Sequence, residues 1–400
     1  MERKQKAFGV IDAHQEELIE LSDRIFDHPE IGLQEYQACQ WLTDYLERNG
    51  FAVERGVGGM ETAFRAVYQQ GNGGPSFGLL CEYDALEKQG HACGHHLQGP
   101  CIIGAAMAIQ QAVKDKPYRL VVYGTPAEEN YSGKITMIQN GCFQDIDIAL
   151  MMHMDGATRV DVKSLANIKY SVIFHGVSAH AGRRPEDGKS ALDGLLLSFQ
   201  GIEFMREHVI DDVRMHYTVV DAGGPANVVP ARAEGSFVLR SYDVEYLKDV
   251  DRRFRNIMQG AALMTDTTVE IKDLGFTHNK IPVLVLNDLL MKNARLVDAP
   301  QIAPPRAKTG STDFSNVMTL VPSSCIRMAF VPITVGPHSQ GYYDEGKTKA
   351  AHDGMLKGAK ILAATMCDIL EDPALMDQIK EEFAQNQRDK NYNKYKGDFS

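Results

Sequence analysis

Residues 77–96 read FGLLCEYDALEKQGHACGHH, in which an apolar run passes directly into two acids and then into a loop rich in histidine. A short apolar run closed by polar and turn residues predicts a buried strand, here residues 77–81. In a parallel α/β sheet, ligands gather at the carboxyl ends of the strands. The acids Glu82 and Asp84 and the loop at residues 91–96 therefore predict a functional edge on such a sheet.

Three more apolar runs predict buried strands, at residues 120–123, 146–152 and 326–331. Helical patterns lie between the runs, as at residues 35–49, which end in Asn-Gly, and at residues 101–113, rich in Ala, Ile and Met. Alternating strands and helices predict an α/β domain with a mostly parallel sheet.

The pattern changes between residues 166 and 273. There it predicts strand, helix, strand, strand, helix and strand at residues 170–174, 190–208, 215–221, 233–239, 246–264 and 268–271. This βαββαβ order is that of the split βαβ, or ferredoxin-like, sandwich. We predict an inserted domain at residues 167–274 and a discontinuous first domain at residues 1–166 and 275–400. Residues 387–400 are polar and predict a frayed tail.

The composition, 44% apolar and 24% charged residues, is that of a soluble globular protein, and no apolar run approaches the ~20 residues of a membrane span. A net charge of -11 argues against nucleic-acid and anionic-membrane partners. The seven cysteines lack the dense spacing of a disulfide scaffold, and the N-terminus lacks the apolar core of a signal peptide. We therefore predict a cytoplasmic protein.

Each buried run is followed by residues that could bind a metal ion. Taken singly, each feature has an ordinary explanation. Glu128-Glu129 could be a solvated pair, His153 a core histidine, His338 a loop histidine, and Cys93 a buried cysteine beside a structural histidine. Their coincidence after four separate strands favours one metal centre.

The chemistry explains these residue types. Hydrolysing an amide at neutral pH needs a nucleophilic water, and a divalent cation supplies one by lowering the pKa of water toward ~7. Thiolate, imidazole and carboxylate suit zinc or a similar ion, and if two ions share the site, a thiolate such as Cys93 can bridge them. One of the two adjacent glutamates can then bind metal while its neighbour moves the proton. Asp84 would fix the ring of a metal-bound histidine.

The motifs CEYDAL (81–86), HACGH (91–95), PAEE (126–129), GVSAHAG (176–182) and GSTDF (310–314), with the late His338, resemble one family over nearly the whole chain. It is the family of aminoacylase and carboxypeptidase-like dinuclear metallohydrolases. The resemblance is to the branch with hippurate hydrolase, indole-acetyl-amino-acid hydrolase and p-aminobenzoyl-glutamate hydrolase.

The resemblance implies a zinc-peptidase-like catalytic domain, an inserted lid and dimerisation domain, and a homodimer. It implies two divalent ions per subunit, Zn²⁺ or Mn²⁺, between which the sequence does not choose. Glu128 would be the general base, and the implied metal ligands are Cys93, His95, Glu129, His153 and His338.

In such enzymes the lid histidine, here His180, reaches the active site of the neighbouring subunit and stabilises the oxyanion. Asn227 and Arg240 stand where the family contacts substrate. For Arg240 alone, a structural salt bridge at a strand end is an equal alternative.

Two positions depart from the family pattern. His96 stands where the family has Asp or Asn, which makes it a candidate competing ligand or substrate contact, and Gln98 replaces a histidine. Thr312 in the GSTDF motif favours the p-aminobenzoyl-glutamate hydrolase branch and its dipeptidase relatives.

We therefore predict a metal-dependent amidohydrolase, or metallopeptidase, that acts on a small N-acyl amino acid or dipeptide, as an aminoacylase or dipeptidase does. One alternative substrate is an N-carbamoyl or N-acetyl amino acid. An alternative of another class is a catalytically inactive metal-binding protein with a structural or regulatory role. Glu128 argues against that class, because a purely structural site needs no spare base.

Overall fold

The structure is a computed structural model that describes residues 1–389. The chain divides into two compact units. Within the described residues, unit 1 comprises residues 1–162, 281–308 and 312–389, and unit 2 comprises residues 163–280 and 309–311. The predicted insertion began at 167 and ended at 274. Residues 309–311 pack with unit 2 because the Leu165 amide donates to Gly310 O at 2.9 Å and the Thr309 amide donates to the Tyr242 hydroxyl at 3.0 Å.

Within residues 1–389 the α-helices are α1 Glu2–Ala13, α2 Gln15–Asp27, α3 Tyr36–Arg48, α4 Gln98–Ala112, α5 Gly133–Gln139, α6 Ala191–Arg206, α7 Val244–Met264, α8 Leu284–Leu296, α9 Phe314–Val317, α10 Gln340–Asp344, α11 Lys349–Glu371 and α12 Pro373–Asp389. The predicted tail was wrong at its start, because residues 387–389 continue helix α12. Its remainder, residues 390–400, lies outside the described residues.

The strands are β1 Ala52–Arg55, β2 Phe64–Gln70, β3 Ser76–Cys81, β4 Tyr118–Gly124, β5 Ile148–Asp155, β6 Arg159–Val160, β7 Ala166–His175, β8 Arg214–Asp221, β9 Arg232–Ser241, β10 Thr268–Thr277 and β11 Ser323–Ala329.

Unit 1 contains a seven-stranded sheet in the order β1-β2-β4-β3-β5-β11-β6. Its four inner strands, β4, β3, β5 and β11, run parallel, whereas β1, β2 and β6 pair antiparallel at the edges. The predicted α/β class with a mostly parallel sheet is confirmed. Strands β1 and β2 were missed because they are partly exposed and mix polar with apolar residues.

Helix α4 starts directly after the histidine-rich loop and fixes it to the core. The helix is apolar on all sides and buried from Gln98 to Gln110, as expected for a helix inside a large unit. It packs against α1 and α11. It also lies close to α3, because a Cβ at Gly99 would lie 2.5 Å from Leu42 Cδ2 and would require the Leu42 side chain to shift.

Unit 2 contains an antiparallel sheet in the order β10-β7-β9-β8, built from a βαββαβ succession as predicted. Helices α6 and α7 pack on one face of this sheet, where the Tyr170 and Phe254 rings stack with centroids 4.8 Å apart. Its role as a lid and dimerisation domain stays a prediction. Of the helices in residues 1–389, none is both long and apolar enough to cross a membrane.

Candidate metal centre

The parallel strands bring the predicted ligands of unit 1 together. One ligand atom each from Cys93, His95 and His153 lie within 4.8 Å of one another, and the same holds for Cys93, Glu129 and His338. Cys93 belongs to both groups. These residues come from the loops after β3, β4 and β11 and from β5 itself, so the carboxyl ends of the parallel strands form this site.

His95 is oriented by Asp84. The ring Nδ1 lies 3.0 Å from Asp84 Oδ1, in a side-chain pair with no solvent exposure. Nδ1–H therefore donates to the carboxylate, and Nε2 is the ring atom that a metal ion would bind in place of a proton. Burial acts to lower the pKa of His95, but Cys93, Glu82 and Asp84 together raise it well above its usual value. This geometry suits the predicted role of Asp84.

His153 lies inside β5, which continues to Asp155, and not after the strand as predicted. Its Nδ1–H donates to Met154 O at 2.7 Å, so Nε2 is an acceptor and is hydrogen-bonded with Cys93 Sγ at 3.7 Å. Burial lowers the pKa of His153 to about 3, with a further contribution from Arg327 on the adjacent strand. Asp161 holds the Arg327 guanidinium at 2.7 Å. His153 is thus a neutral imidazole, the form that binds metals.

Glu129 and His338 meet across two loops, with His338 Nε2 at 3.2 Å from Glu129 Oε1. The His338 amide donates to Ala92 O at 2.9 Å, and Gln89 Nε2 donates to His338 O at 2.9 Å. These bonds fasten the loop after β11 to the loop after β3. Burial acts to raise the pKa of Glu129, but His338 and His95 hold it at about 2.

Glu128 occupies a different position from its neighbour Glu129. A Glu128 carboxylate oxygen lies within 4.8 Å of ligand atoms of His95 and Glu129, and the same holds for Glu128 with Glu82 and Asp313. Glu128 is in neither group that contains Cys93. Burial, followed by the charges of Glu82 and Asp313, raises the pKa of Glu128 well above its usual value. Cations bound nearby would oppose this effect and favour the carboxylate, the form in which Glu128 can accept a proton.

A buried ion network beside Glu128 was not predicted from the sequence. Lys134 is 0% exposed, and its Nζ lies 2.5 Å from Glu82 Oε1 and 2.7 Å from Asp313 Oδ1. Gln98, noted only as a departure, donates from Nε2 to Glu82 Oε2 at 2.8 Å. Burial would raise the pKa of Glu82, yet Lys134 and His95 hold it at about 2. Glu82 and Asp313 stood in the quoted motifs, but no pattern marked Lys134.

His96 is buried and belongs to none of the ligand groups of the described chain. Its Nε2 hydrogen-bonds Gly346 O at 2.8 Å, and its ring packs edge-on against Phe26 at 4.8 Å. Burial lowers the pKa of His96 to about 3. These contacts give His96 a packing role, in contrast to the competing ligand or substrate contact that we considered.

The candidate substrate residues of unit 2 fall into two places. His180 and Asn227 are exposed on two segments joined by the Ala181 amide, which donates to Asn227 O at 3.0 Å. Arg240 lies near the far end of β9. Its Nε is buried without a partner, and within residues 1–389 its side chain has a single hydrogen bond, to Ser311 Oγ at 3.4 Å, and no ion pair. The alternative of a structural salt bridge is therefore not observed.

The donor set fits a divalent cation. His95 Nε2 and Glu129 Oε1 are buried side-chain atoms without a hydrogen-bond partner in the described chain, and both face the groups that contain Cys93. Each lies close to one charged side chain, His95 Nε2 at 3.3 Å from Glu82 Oε2 and Glu129 Oε1 at 3.2 Å from His338 Nε2, but without the geometry of a hydrogen bond. Cations bound at the Cys93 groups would satisfy both atoms. Thiolate, imidazole and carboxylate donors suit zinc and related ions.

Comparison with known proteins identifies the family of this chain. Residues 70–368 match the sequence model of Peptidase family M20/M25/M40. One of the subunits of the p-aminobenzoyl-glutamate hydrolase of Escherichia coli (strain K12) is 31% identical over 94% of this chain and 93% of its own length. The Xaa-Arg dipeptidase of Mus musculus is 30% identical over 95% of this chain and 92% of its own length.

A solved structure supports the fold. The Bacillus subtilis YXEP protein, a dinuclear metal binding peptidase from the M20 family, matches with a TM-score of 0.71 and 18% identity. The match covers 90% of this chain and 99% of that one. At this identity the likeness establishes a shared fold.

Replacing Lys134 tests the buried ion network. Lys134→Met leaves Glu82 and Asp313 buried without their cation, so we expect the free energy of unfolding to fall by about 3–5 kcal/mol. The matched control is Lys349→Met, which removes an ion pair from a lysine that is 85% exposed and should cost less than about 1 kcal/mol. Urea denaturation measures both, and equal losses would contradict the network's importance.

Proposed function

This chain belongs to Peptidase family M20/M25/M40 and is a metal-dependent hydrolase of amide bonds, and we propose that it cleaves a small N-acyl amino acid or a dipeptide. The names of its two relatives, p-aminobenzoyl-glutamate hydrolase and Xaa-Arg dipeptidase, describe an acyl group joined by an amide to an amino acid. The two amino acids differ in charge. The shared chemistry is therefore the amide beside a carboxylate, which we take as the substrate class.

The observation that carries the proposal is the position of Cys93 in two ligand groups at once. It supports a site for two divalent ions, Zn²⁺ or Mn²⁺, which Cys93, His95, His153, Glu129 and His338 would hold. When bound, such ions would polarise the amide carbonyl and lower the pKa of a water molecule. The relative from B. subtilis is described as dinuclear.

Glu128 is the proposed general base. Since it is in neither group that contains Cys93, its carboxylate is free to take the proton of the attacking water and deliver it to the leaving amine nitrogen. The amine then leaves as a neutral molecule. Asp84 holds both a metal ligand and the backbone next to the base. Its Oδ1 accepts from His95, and its Oδ2 accepts from the Glu129 amide at 3.0 Å.

His180 is the proposed oxyanion donor. The Gly182 amide donates to His180 Nδ1 at 3.2 Å, so the neutral ring carries its proton on Nε2. An exposed Nε2–H can donate to the oxygen that gains negative charge as the amide carbon becomes tetrahedral. Asn227, on the adjoining segment, is a second polar contact for substrate.

Arg240 is the proposed partner of the substrate carboxylate. An arginine that is partly buried and lacks a counter-ion in the described chain has lost hydration without compensation, and a carboxylate would supply two parallel hydrogen bonds.

The distance along β9 supports a homodimer. Arg240 is eight residues from the start of β9, which corresponds to roughly 26 Å at about 3.3 Å per residue, while Asn227 precedes the strand by five residues. A small substrate cannot contact both ends of the strand. We therefore propose that His180 and Asn227 of one subunit act in the active site of the other, with unit 2 as the dimerisation and lid domain.

A cytoplasmic location is part of the proposal. All seven cysteines are free and buried, as expected in a reducing compartment. The name of the E. coli relative describes it as one subunit of its enzyme, so a test of the homodimer uses the purified chain alone.

A substrate panel tests the proposed function. We expect turnover of dipeptides or N-acyl amino acids, measured as released amine, and loss of turnover on dialysis against a chelator. Exclusive turnover of N-carbamoyl or N-acetyl amino acids would replace the substrate class. Bound metal without turnover of any member would favour an inactive metal-binding protein.

Glu128→Gln tests the general base. The amide cannot accept a proton, so we expect kcat to fall by about 10²–10⁴-fold with metal content unchanged, as measured by steady-state kinetics and elemental analysis. The matched control is Glu87→Gln, an exposed glutamate in the loop after β3, which should keep the wild-type rate. A Glu128→Gln rate near wild type would remove Glu128 from the mechanism.

Mixing two inactive variants tests the shared site. If His180 acts on the neighbouring subunit, a dimer of one Glu128→Gln chain and one His180→Ala chain has one intact site. Equal amounts, allowed to exchange subunits, should recover about a quarter of wild-type activity, because half of the dimers are mixed and each has one of two sites. No recovery in mixtures that form mixed dimers by native mass spectrometry would place His180 in its own subunit's site.

A further inference from the structure

Glu35 is a buried carboxyl group that the mechanism above does not use. It precedes helix α3 and is 0% exposed. The segment before it is fixed against unit 1, because Ile31 forms an isolated parallel bridge with Ala85 and the Ala85 amide donates to Glu30 O at 2.8 Å. An acid in such a position needs a partner for each oxygen.

Both oxygens of Glu35 have partners far away in the sequence. Oε1 accepts from the Ala127 amide at 2.7 Å, and Oε2 accepts from the Thr62 hydroxyl at 2.9 Å. Ala127 directly precedes Glu128. The carboxyl of Glu35 therefore holds the backbone of the turn that presents Glu128.

That turn needs support because Ala127 has a φ of 59°. A left-handed conformation is unfavourable for a residue with a Cβ and persists where surrounding contacts hold it. On the other side of Glu128, Asp84 Oδ2 accepts from the Glu129 amide at 3.0 Å. Two buried carboxyl groups thus hold the amides immediately before and after the Glu128 peptide unit.

The packing leaves little freedom for this turn to move. A Cβ at Gly32 would lie 2.9 Å from Ala127 Cα, so the segment that carries Glu35 is in close contact with the turn. Burial, with a further contribution from Asp84, raises the pKa of Glu35 to about 7. A neutral amide of the same length is therefore a suitable replacement for its carboxyl.

We propose that Glu35 is a positioning residue that fixes the Ala127 turn through its hydrogen bond to the Ala127 amide and thereby sets the position of Glu128 relative to the substrate amide. The inference rests on the proposed role of Glu128 as general base. The property of Glu35 that positions the turn is the length of its side chain, which places the acceptor oxygen, and not its charge.

Two conservative variants separate reach from charge. Glu35→Gln keeps the length and an acceptor oxygen, so kcat should stay within about twofold of wild type. Glu35→Asp keeps the charge but withdraws the acceptor by one carbon, so kcat should fall about 10- to 100-fold with KM and metal content little changed, as expected for a misplacement of roughly 1 Å.

The control is Glu30→Ala. The Glu30 carboxylate accepts from the Gln37 and Ala38 amides and caps the same helix α3, but it does not contact the turn. We expect a lower midpoint of urea denaturation for Glu30→Ala and a wild-type kcat. This separates the loss of helix stability from the loss of base position.

Each outcome supports or overturns the positioning role. A wild-type kcat for Glu35→Asp overturns the inference, and so does a loss of tenfold or more in kcat for Glu35→Gln. The measurement on Glu35→Gln remains decisive even if Glu35→Asp does not fold. If Glu128→Gln abolishes turnover while Glu35→Asp keeps it, this inference alone fails. If Glu128→Gln retains turnover, the proposed function fails at the general base.

Discussion

Buried negative charge is the constraint that shapes this molecule. Glu82, Asp84 and Asp313 are each at most 2% exposed, and an uncompensated buried carboxylate costs several kcal/mol. Lys134 compensates Glu82 and Asp313, and His95 with a backbone amide compensates Asp84. For Glu129 the nearby positive group is His338, whose Nε2 lies 3.2 Å from Oε1. That contact lacks the geometry of a hydrogen bond, and Oε1 has no hydrogen bond within residues 1–389. A cation at the Cys93 groups would compensate the remaining negative charge. A metal ion bound there would therefore also stabilise the buried carboxylates.

The parallel strands explain how one edge collects residues that are up to 245 positions apart, as Cys93 and His338 are. Strands β4, β3, β5 and β11 end side by side, and each loop has to cover only a short distance from there. The loops are then fastened to one another, for example by the His338 amide on Ala92 O. Most residues of the proposed site thus lie on loops, with His153 in β5 itself, while the sheet sets their spacing.

Much of the fold and site could be predicted because the relevant patterns are local. Strand β3 passes within the sequence into Glu82 and Asp84, and the PAEE motif closely follows strand β4. Strands β1 and β2 could not be predicted, since their partly polar residues resemble a loop. Lys134 and Glu35 escaped prediction for another reason. Their partners, Asp313 and Ala127, lie 179 and 92 residues away, and only the folded chain shows that they meet.

Two residues of the proposed site have left-handed backbone conformations. Ala127 and His338 have φ values of 59° and 63°, and each such residue costs on the order of 1–3 kcal/mol. Each amide also makes a hydrogen bond, Ala127 to Glu35 and His338 to Ala92 O, and a bond of this kind contributes about 1 kcal/mol. The hydrogen bonds therefore offset part of the strain, and the rest depends on the packed loops around them. Relaxing either residue would move a side chain of the proposed centre, so the same contacts that stabilise the strained turns also determine where Glu128 and His338 lie.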